Sequence, residues 1–276
     1  MATPAAAGSL KWPSLNTTGR IEVGIDDATG DNGFIFYDFE STLGERFFRF
    51  NLGVFGVRGR EHETYVSVSA HPMSGGRWDI GMPRPAFDRV AEGAMVHIVP
   101  RAMVDVVGET RSNMTHGVFS VGGYLPLGIS YEQERGALAW AISYHGNTEA
   151  SDTAVGASMT YAFDHIQLEA AIEHVSGALD DFNAKAWIGT ELGAFDFGLG
   201  WYNMAANGTP RMWELSSDWQ IAEKLKLSAF HHLRDNAPDR SGVGLNWGGE
   251  DGFSATVGYL AQSGADVMSG QIGWRF

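Results

Sequence analysis

The sequence contains no cysteine, which excludes a disulfide framework, a thiolate metal site and a cysteine nucleophile. Basic side chains are scarce: 19 Lys and Arg stand against 33 Asp and Glu, for a net charge of −14. This balance argues against binding to nucleic acid, which requires a basic surface. No run of about 18 apolar residues exists, so the sequence offers no transmembrane helix. This absence fits a soluble protein. It also fits a membrane barrel, because barrel strands alternate and never form apolar runs.

The first 13 residues lack the basic region and the apolar core of a secretory signal peptide. Two interpretations fit: a cytoplasmic protein, or a mature chain in which an initiator Met replaces the signal peptide. The strand patterns favour the second. We therefore expect residues 1–17 to form a tail and residues 18–276 to form one barrel domain.

Glycine and aromatic residues are abundant instead. Glycine accounts for 36 of the 276 residues, roughly twice its typical share of about 7 %. Aromatic residues make up 12 %, and together these two classes predict many short strands. The segment 267–276 shows the pattern most clearly, with one apolar face and one polar or small face. The apolar face carries Met268, Ile272, Trp274 and Phe276.

The same alternation recurs along the chain, in segments 20–26, 138–145, 195–202, 213–221 and 253–261. The polar faces carry charges and glycines, which the dry core of a β-sandwich would not tolerate. They suit a wet lumen, whereas the apolar faces suit lipid. Inward glycine, serine and alanine are expected to leave that lumen open.

Sixteen segments show strand character, and tight turns alternate strictly with longer polar loops between them. This layout predicts an all-β fold: a transmembrane antiparallel up-and-down β-barrel of 16 strands, with 14 or 18 as alternatives. The predicted strands are 18–27, 33–42, 46–58, 63–72, 76–84, 126–133, 137–146, 153–163, 166–176, 182–192, 195–205, 210–221, 225–235, 240–248, 252–262 and 267–276.

The connector 85–125 breaks the pattern, because a loop of this length is normally functional. It is too hydrophobic to lie in solvent, so we expect this third loop to fold into the lumen as a constriction, with a short helix over 86–94. The alternative is a further pair of strands, 96–107 and 117–125, which would raise the count to eighteen.

At this point the chain resembles the Gram-negative general (diffusion) porins, most of all those of alphaproteobacteria. The resemblance rests on the terminal strand 273–276, the strand count and the segment 75–84 that leads into the long loop. It implies a water-filled homotrimeric barrel in the bacterial outer membrane, in contact with lipid, for passive diffusion of small hydrophilic solutes. The external loops are short for that family.

A pore of this kind needs a constriction with a radius and an electric field rather than reaction chemistry. Arginines on the wall that face carboxylates on the loop would give a transverse field; the alternative is that they are only solvated lumen charges. The net charge itself favours cations. The candidate constriction residues are Arg20, Arg49, Arg77, Arg84, Asp88, Glu92, Arg101, Asp105 and Glu109. The candidate membrane-interface aromatics are Trp201, Trp213, Trp219, Trp274 and Phe276.

No cofactor, resident metal or nucleic-acid partner is expected. The acidic pairs Asp26-Asp27 and Asp180-Asp181 leave room for a loop-bound calcium ion, although no calcium-loop spacing is present. His231 and His232 point to opposite faces of a strand, which favours packing over metal binding. Two other function classes remain as alternatives: an outer-membrane barrel enzyme of the lipase or protease type, and a soluble lectin-like binding module. The positions that suggest a hydrolase are Asn113, His116 and Ser120.

Overall fold

The computed structural model describes residues 14–27, 33–45, 48–58, 62–72, 75–104, 106–112, 125–147, 152–177, 180–249, 251–264 and 266–276. Its strands, β1 to β16 in chain order, form one closed antiparallel barrel in which each strand pairs with its sequence neighbours. Their bounds are Leu15–Asp26, Gly33–Glu45, Phe48–Val57, His62–Ala70, Arg77–Met82, Pro126–Arg135, Leu138–Asn147, Thr153–Phe163, Ile166–Ser176, Asp181–Leu192, Phe195–Met204, Met212–Ala222, Leu225–Arg234, Arg240–Gly248, Gly252–Gln262 and Val267–Arg275.

The barrel closes where the two ends of the chain meet. Strand β16 pairs with β1 from Arg275 opposite Arg20 to Ser269 opposite Asp26. Gly19 and Phe276 exchange two backbone hydrogen bonds, at 2.7 and 3.0 Å. Closure leaves no sheet edge with unpaired backbone groups, which is the condition for strands to exist in lipid.

The predicted all-β barrel of sixteen strands is confirmed, and the eighteen-strand alternative is wrong. Strand β5 pairs directly with β6, and the segment 96–104 forms turns and a short helix instead of a strand. The second segment of that alternative, 117–125, lies outside the described residues except for its last position. Strand β1 begins at Leu15, so three residues of the predicted tail 1–17 belong to the barrel. None of the helices in the described ranges is long or apolar enough to cross a membrane.

Side-chain alternation separates the two faces of the wall. In β14 the burial pattern alternates strictly, with Val243, Leu245 and Trp247 outward and exposed. Buried polar side chains such as Ser254 and Thr256 of β15 point inward. The outer surface is therefore apolar and the inner surface polar, as the period-two pattern predicts.

Connections at one end of the barrel are short, and those at the other end are longer. The short-turn end carries both chain ends and tight turns such as Asp164-His165, where Asp164 has a positive φ of 47°. Asp tolerates this left-handed conformation better than most residues. The connector between β5 and β6 leaves from the opposite, long-loop end.

Candidate functional site

The described part of the connector between β5 and β6, residues 83–104 and 106–112, is here called the inner loop and crosses the lumen. Pro83 and Pro85 follow β5, and proline ends a ladder because it has no N–H to donate. Gly93, with a positive φ of 88°, reverses the chain between two turns of 3-10 helix. The described elements of the inner loop are the 3-10 turns Ala86–Arg89, Ala94–His97 and Val107–Glu109 and the helix Pro100–Val104.

Wall carboxylates hold the backbone of the inner loop. Glu214 of β12 accepts hydrogen bonds from the Ala94 amide at 3.0 and 3.1 Å, and His232 lies 2.8 Å from the same carboxylate. Glu169 of β9 accepts a bond from the Ala91 amide. These acceptors satisfy amides that short helical turns leave without intrahelical partners.

Arg111 forms the densest ionic contact of the site. Its side chain is 1 % exposed and pairs with Glu63 of β4 at 2.8 Å and with Glu92 of the inner loop at 2.9 Å. The guanidinium also lies 4.1 Å from the centre of the Phe55 ring and donates to Tyr65 at 3.1 Å. Because these charges have left water, the pair depends on this full set of partners.

Two apolar clusters pack the inner loop against the wall. The larger joins Met95, Val99 and Met103 to Phe36, Phe55 and other wall residues of β2, β3, β13, β15 and β16. The smaller joins Phe87 and Val90 to wall residues of β9, β11 and β12. The inner loop is thus seated by buried apolar area as well as by charge.

Inward glycines let the inner loop approach the wall, which corrects the expectation that they leave the lumen open. A Cβ on Gly258 would lie 2.2 Å from the carbonyl oxygen of Ile98, and one on Gly244 would lie 3.1 Å from the Ile98 side chain. At Gly24 and Gly242 the space is filled by the rings of Phe34 and Phe230. These glycines are close-packing positions.

A cavity of about 810 Å³ lies between the inner loop and the short-turn end. Arg20, Arg84 and Arg111 line it, together with Asp38 and the acidic residues of β11 and β12. Arg84 lies 5.9 Å from the centre of the Tyr65 ring. The buried Nε of Arg84 has no hydrogen-bond partner among the described residues.

Four of the predicted constriction residues lie at the contact between the wall and the inner loop. Arg20 of β1 places Nη1 3.3 Å from Nδ1 of His97. Arg101 of the inner loop pairs with Asp26 at 3.3 Å. Glu92 pairs with Arg111, as described above. The fourth, Glu109, pairs with Arg234 at 2.6 Å and with Arg240.

The remaining candidates are more scattered. Arg77 of β5 pairs with Asp79 at 3.0 Å and Glu132 at 2.8 Å, close to the short-turn end. Arg49 of β3 faces inward near that end and is partly buried. Arg84 lines the cavity, Asp88 is buried at 3 % exposure, and Asp105 lies outside the described residues.

The ion pairs between wall and loop run in both senses. Loop arginines meet wall carboxylates at Arg101–Asp26 and Arg111–Glu63, whereas wall arginines meet the loop carboxylate Glu109. The inner loop is therefore held at its periphery by charges of both signs.

Electrostatics around the inner loop shift several acid–base groups. Burial raises the pKa of Glu92, but the charges of Arg111 and His97 outweigh it and hold that pKa at about 2. Burial raises the pKa of Asp88 to about 6, and Glu63 adds to the effect. Enclosure in the lumen and the charge of Arg20 lower the pKa of His97 to about 4. The pKa values of Asp88 and Glu92 therefore shift in opposite directions, because nearby cations outweigh burial at Glu92 but not at Asp88.

The sequence analysis missed Glu63, Tyr65, Glu173, Lys185 and Glu214. All five are buried and lie on the inward parity of β4, β9, β10 and β12. Inward parity combined with a side chain that can ionise would have identified them.

The predicted tryptophans lie on the outer face near the two rims, and Phe276 lies at the short-turn end, where it also lines the cavity. Trp213, Trp219 and Trp274 are 45 %, 42 % and 56 % exposed. Trp201 packs beside Trp213 near the long-loop end, with ring centres 6.5 Å apart. Phe276 lies near Phe39 at 6.3 Å, at the short-turn end. Amphipathic rings at the two ends of the outer wall are typical of membrane interfaces.

The other candidate sites have different partners or no described position. Asp26 pairs with Arg101, Asp27 accepts from the Met268 amide at 2.7 Å, and Asp180 lies 3.4 Å from His174. Within the described ranges no group of three or more His, Asp or Glu is placed to hold a metal ion. His232 points inward and is buried, and His231 lies on the outer face. Asn113, His116 and Ser120 lie outside the described residues.

No protein-family model and no curated protein matches this sequence. Solved structures do match. An engineered mutant of the Rh. blastica porin is 16 % identical, with a TM-score of 0.69, and the alignment covers 96 % of this chain and 100 % of that one. A triple mutant of the Rhodopseudomonas blastica porin aligns over the same shares at 16 % identity, with a TM-score of 0.68. A barrel of sixteen antiparallel strands that superimposes over nearly its whole length gives this chain the fold of the general porins.

Proposed function

We propose that the protein is a bacterial outer-membrane channel for passive diffusion of small hydrophilic solutes and ions. The observation that carries the proposal is the contrast between the two faces of one closed wall. The outer face is apolar and has aromatic rims, and the inner face encloses a charged cavity of about 810 Å³. This combination suits a pore through lipid.

The cavity supports selection for polar solutes. Arg20, Arg84 and Arg111 line one part of it, and Asp196 and Asp218 line another. Asp196 and Asp218 lie directly opposite each other on β11 and β12. Lys226 pairs with Asp218 at 2.7 Å, and Asp38 lines the cavity as well. A lining that carries charges of both signs favours dipolar solutes and ions over apolar ones. Such diffusion requires no cofactor.

Planar-bilayer recording tests the proposal directly. The purified protein is expected to give stepwise conductance, and proteoliposomes are expected to swell in small sugars. Large oligosaccharides, which we expect the barrel to exclude, serve as the control. A reconstituted and folded barrel that gives neither steps nor swelling would refute the channel function.

We also propose that the channel is a homotrimer with lipid around its outer rim. Bulky outward side chains on β2 and β3 support this proposal, because they form an apolar strip on the outer face. Tyr37 and Phe39 of this strip are partly exposed, and Phe50 is 46 % exposed. A subunit interface would cover this apolar strip. Mild-detergent gels are expected to show a trimer that heat converts to monomer, and monomer alone before heating would contradict the proposal.

The enzyme alternative has no comparable support. It rests on Asn113, His116 and Ser120, which lie outside the described residues. The solved structures that share the fold carry the name porin.

A further inference from the structure

The inner loop contacts the wall around nearly the whole lumen. Besides the contacts above, Arg89 pairs with Glu132 of β6 at 2.5 Å, and the Ala86 amide donates to Ser143 of β7 at 2.9 Å. Lys185 of β10 donates to the Thr110 carbonyl at 2.8 Å. Ser269 of β16 donates to the Ile98 carbonyl at 3.4 Å. The described part of the loop therefore spans the lumen from side to side.

Glu92, Gly93 and Ala94 line a cavity of about 500 Å³ on the β9 to β13 side, but little space remains where Met95, Met103 and Glu109 face β12 to β14. The cavity there measures about 10 Å³, which is at the lower limit for a single water molecule. The larger apolar cluster closes the sector of β2, β3, β13, β15 and β16. Wider passage through the barrel requires this loop to leave its seat.

At one contact between the inner loop and the wall, two carboxylates accept hydrogen bonds from the same serine. The Ser112 amide donates to Asp88 at 2.8 Å, and the Ser112 hydroxyl lies 2.7 and 2.9 Å from the two oxygens of Glu173. Asp88 and Glu173 are 3 % and 1 % exposed. The second oxygen of Asp88 is buried and has no hydrogen-bond partner among the described residues.

The cations near this cluster are engaged elsewhere. Lys185 of β10 donates to the carbonyl oxygens of Thr110 and Ala91. Arg111 of the inner loop donates to Glu63 and Glu92. From the wall, Glu63 of β4 adds a further negative charge, and Asn183 of β10 donates to Glu173 at 3.1 Å. Lys185 and Arg111 still attract these carboxylates, but burial and the charge of Glu63 outweigh that attraction at Asp88, so a proton on the carboxylate pair is favoured.

We propose that the inner loop is a proton-dependent plug of the channel, with Asp88, Ser112 and Glu173 as its latch. The latch is closed when the carboxylate pair holds a proton and opens when both groups ionise. This inference rests on the proposed channel function only for its conductance readout, because the seating of the loop is measured separately.

The direction of the pH effect follows from Asp88. Its pKa is raised to about 6 in the seated loop from an ordinary 3.8, chiefly by burial. A raised pKa means that the seated form binds the proton more tightly, so the latch is complete below pH 3.8 and is lost as the pH rises through 6. Because the two pKa values differ by about two units, the ratio of seated to released loop falls on the order of 100-fold as the pH rises from below 3.8 to above 6.

Two other loop groups titrate in the opposite sense. The pKa of Glu92, about 2, means that its ion pairs weaken as the pH falls from 4.5 through 2. The pKa of His97, about 4, means that its neutral seated form is lost as the pH falls from 6.5 through 4. Both groups remain in an Asp88→Asn variant, so a comparison with wild type isolates the latch.

The test uses the full-length chain in lipid vesicles, with a single cysteine placed by Met103→Cys. Met103 is 3 % exposed in the seated loop, and the chain has no cysteine of its own. A dipyridyl disulfide, which reacts with thiols even at acid pH, then reports the released fraction. At pH 7.5 Asp88→Asn is expected to slow labelling on the order of 100-fold relative to the parent. At pH 4.5, between the two pKa values, the difference is expected to shrink to about sixfold.

Matched variants keep the test decisive. Glu173→Gln removes the other charge of the pair and is expected to slow labelling at pH 7.5 in the same way. Asp251→Asn neutralises an exposed acid in the turn after β14 and is expected to change nothing. Equal labelling of the parent, Asp88→Asn and Glu173→Gln at both pH values would overturn the latch, as would faster labelling of the two neutral variants.

Conductance separates the latch from the channel function. Steps that become smaller or rarer at pH 7.5 in Asp88→Asn are the expected result. If labelling follows the expected pattern but no variant conducts, the latch stands and the proposed channel function fails. If all variants conduct alike and label alike, the channel function stands and the latch fails.

Discussion

The pair formed by Arg111 and Glu63 offers the sharpest test of how the inner loop is held. Both side chains are 1 % exposed, and Glu63 has Tyr65 as its other donor. Arg111→Met removes the charge at similar length and leaves a buried carboxylate with one hydroxyl. Breaking a buried ion pair from one side costs about 3–5 kcal/mol, so the free energy of unfolding should fall by that amount.

Neutralising the other partner should cost less. In Glu63→Gln the arginine keeps Glu92 at 2.9 Å and the hydroxyl of Tyr65 at 3.1 Å, so we expect a loss of about 1–3 kcal/mol. The double variant contains no unpaired charge at Glu63. Its loss should therefore be smaller than the sum of the single losses, by about 2 kcal/mol.

Urea unfolding in lipid vesicles, followed through the fluorescence of the nine tryptophans, measures these differences. Arg49→Met is the matched control, since Arg49 is only partly buried near the short-turn end, and it should change stability by less than about 0.5 kcal/mol. Additive losses in the double variant would refute the view that the two charges depend on each other.

Three further predictions follow from the packing of the barrel. Gly258→Val should displace Ile98 and raise single-channel conductance, because a Cβ there would meet the Ile98 carbonyl at 2.2 Å, whereas Gly270→Val has free space around its Cβ and should leave conductance unchanged. Arg84→Gln should shift reversal potentials toward cations, since Arg84 lines the cavity; an unchanged ion preference would remove it from the conduction path. Phe50→Arg on β3 should abolish the trimer on mild-detergent gels, while Leu168→Arg, at the matching position of β9 and similarly exposed, should keep it; equal effects would place the interface elsewhere.

Much of the fold was predictable because the barrel repeats one local rule. Period-two alternation locates each strand, assigns its faces and requires no knowledge of distant residues. In the strand at 267–276, for example, Met268, Ile272 and Trp274 are enough to predict the face that meets lipid. The eighteen-strand alternative arose where this rule is weakest, in the segment 96–107, whose apolar residues pack against the wall inside the barrel.

The site was less predictable because its partners are far apart in sequence. Ser112 and Glu173 are 61 residues apart, and Glu109 and Arg240 are 131 apart. Such pairs meet only after the barrel has closed and the loop has entered it. The role of the inward glycines was likewise misjudged, because sequence shows that Gly258 lacks a side chain but not that Ile98 occupies the space.

The sequence by itself determined the all-β class, the two faces of the wall and the presence of one exceptional connector, because alternation and turn composition are local properties of the chain. The choice of sixteen strands over fourteen or eighteen needed the closed barrel. The tertiary structure alone decided how that connector crosses the lumen, which carboxylates receive its amides and which charges it buries together. Those choices depend on the curvature and register of a closed sheet, which bring Asp88, Ser112 and Glu173 into one buried cluster.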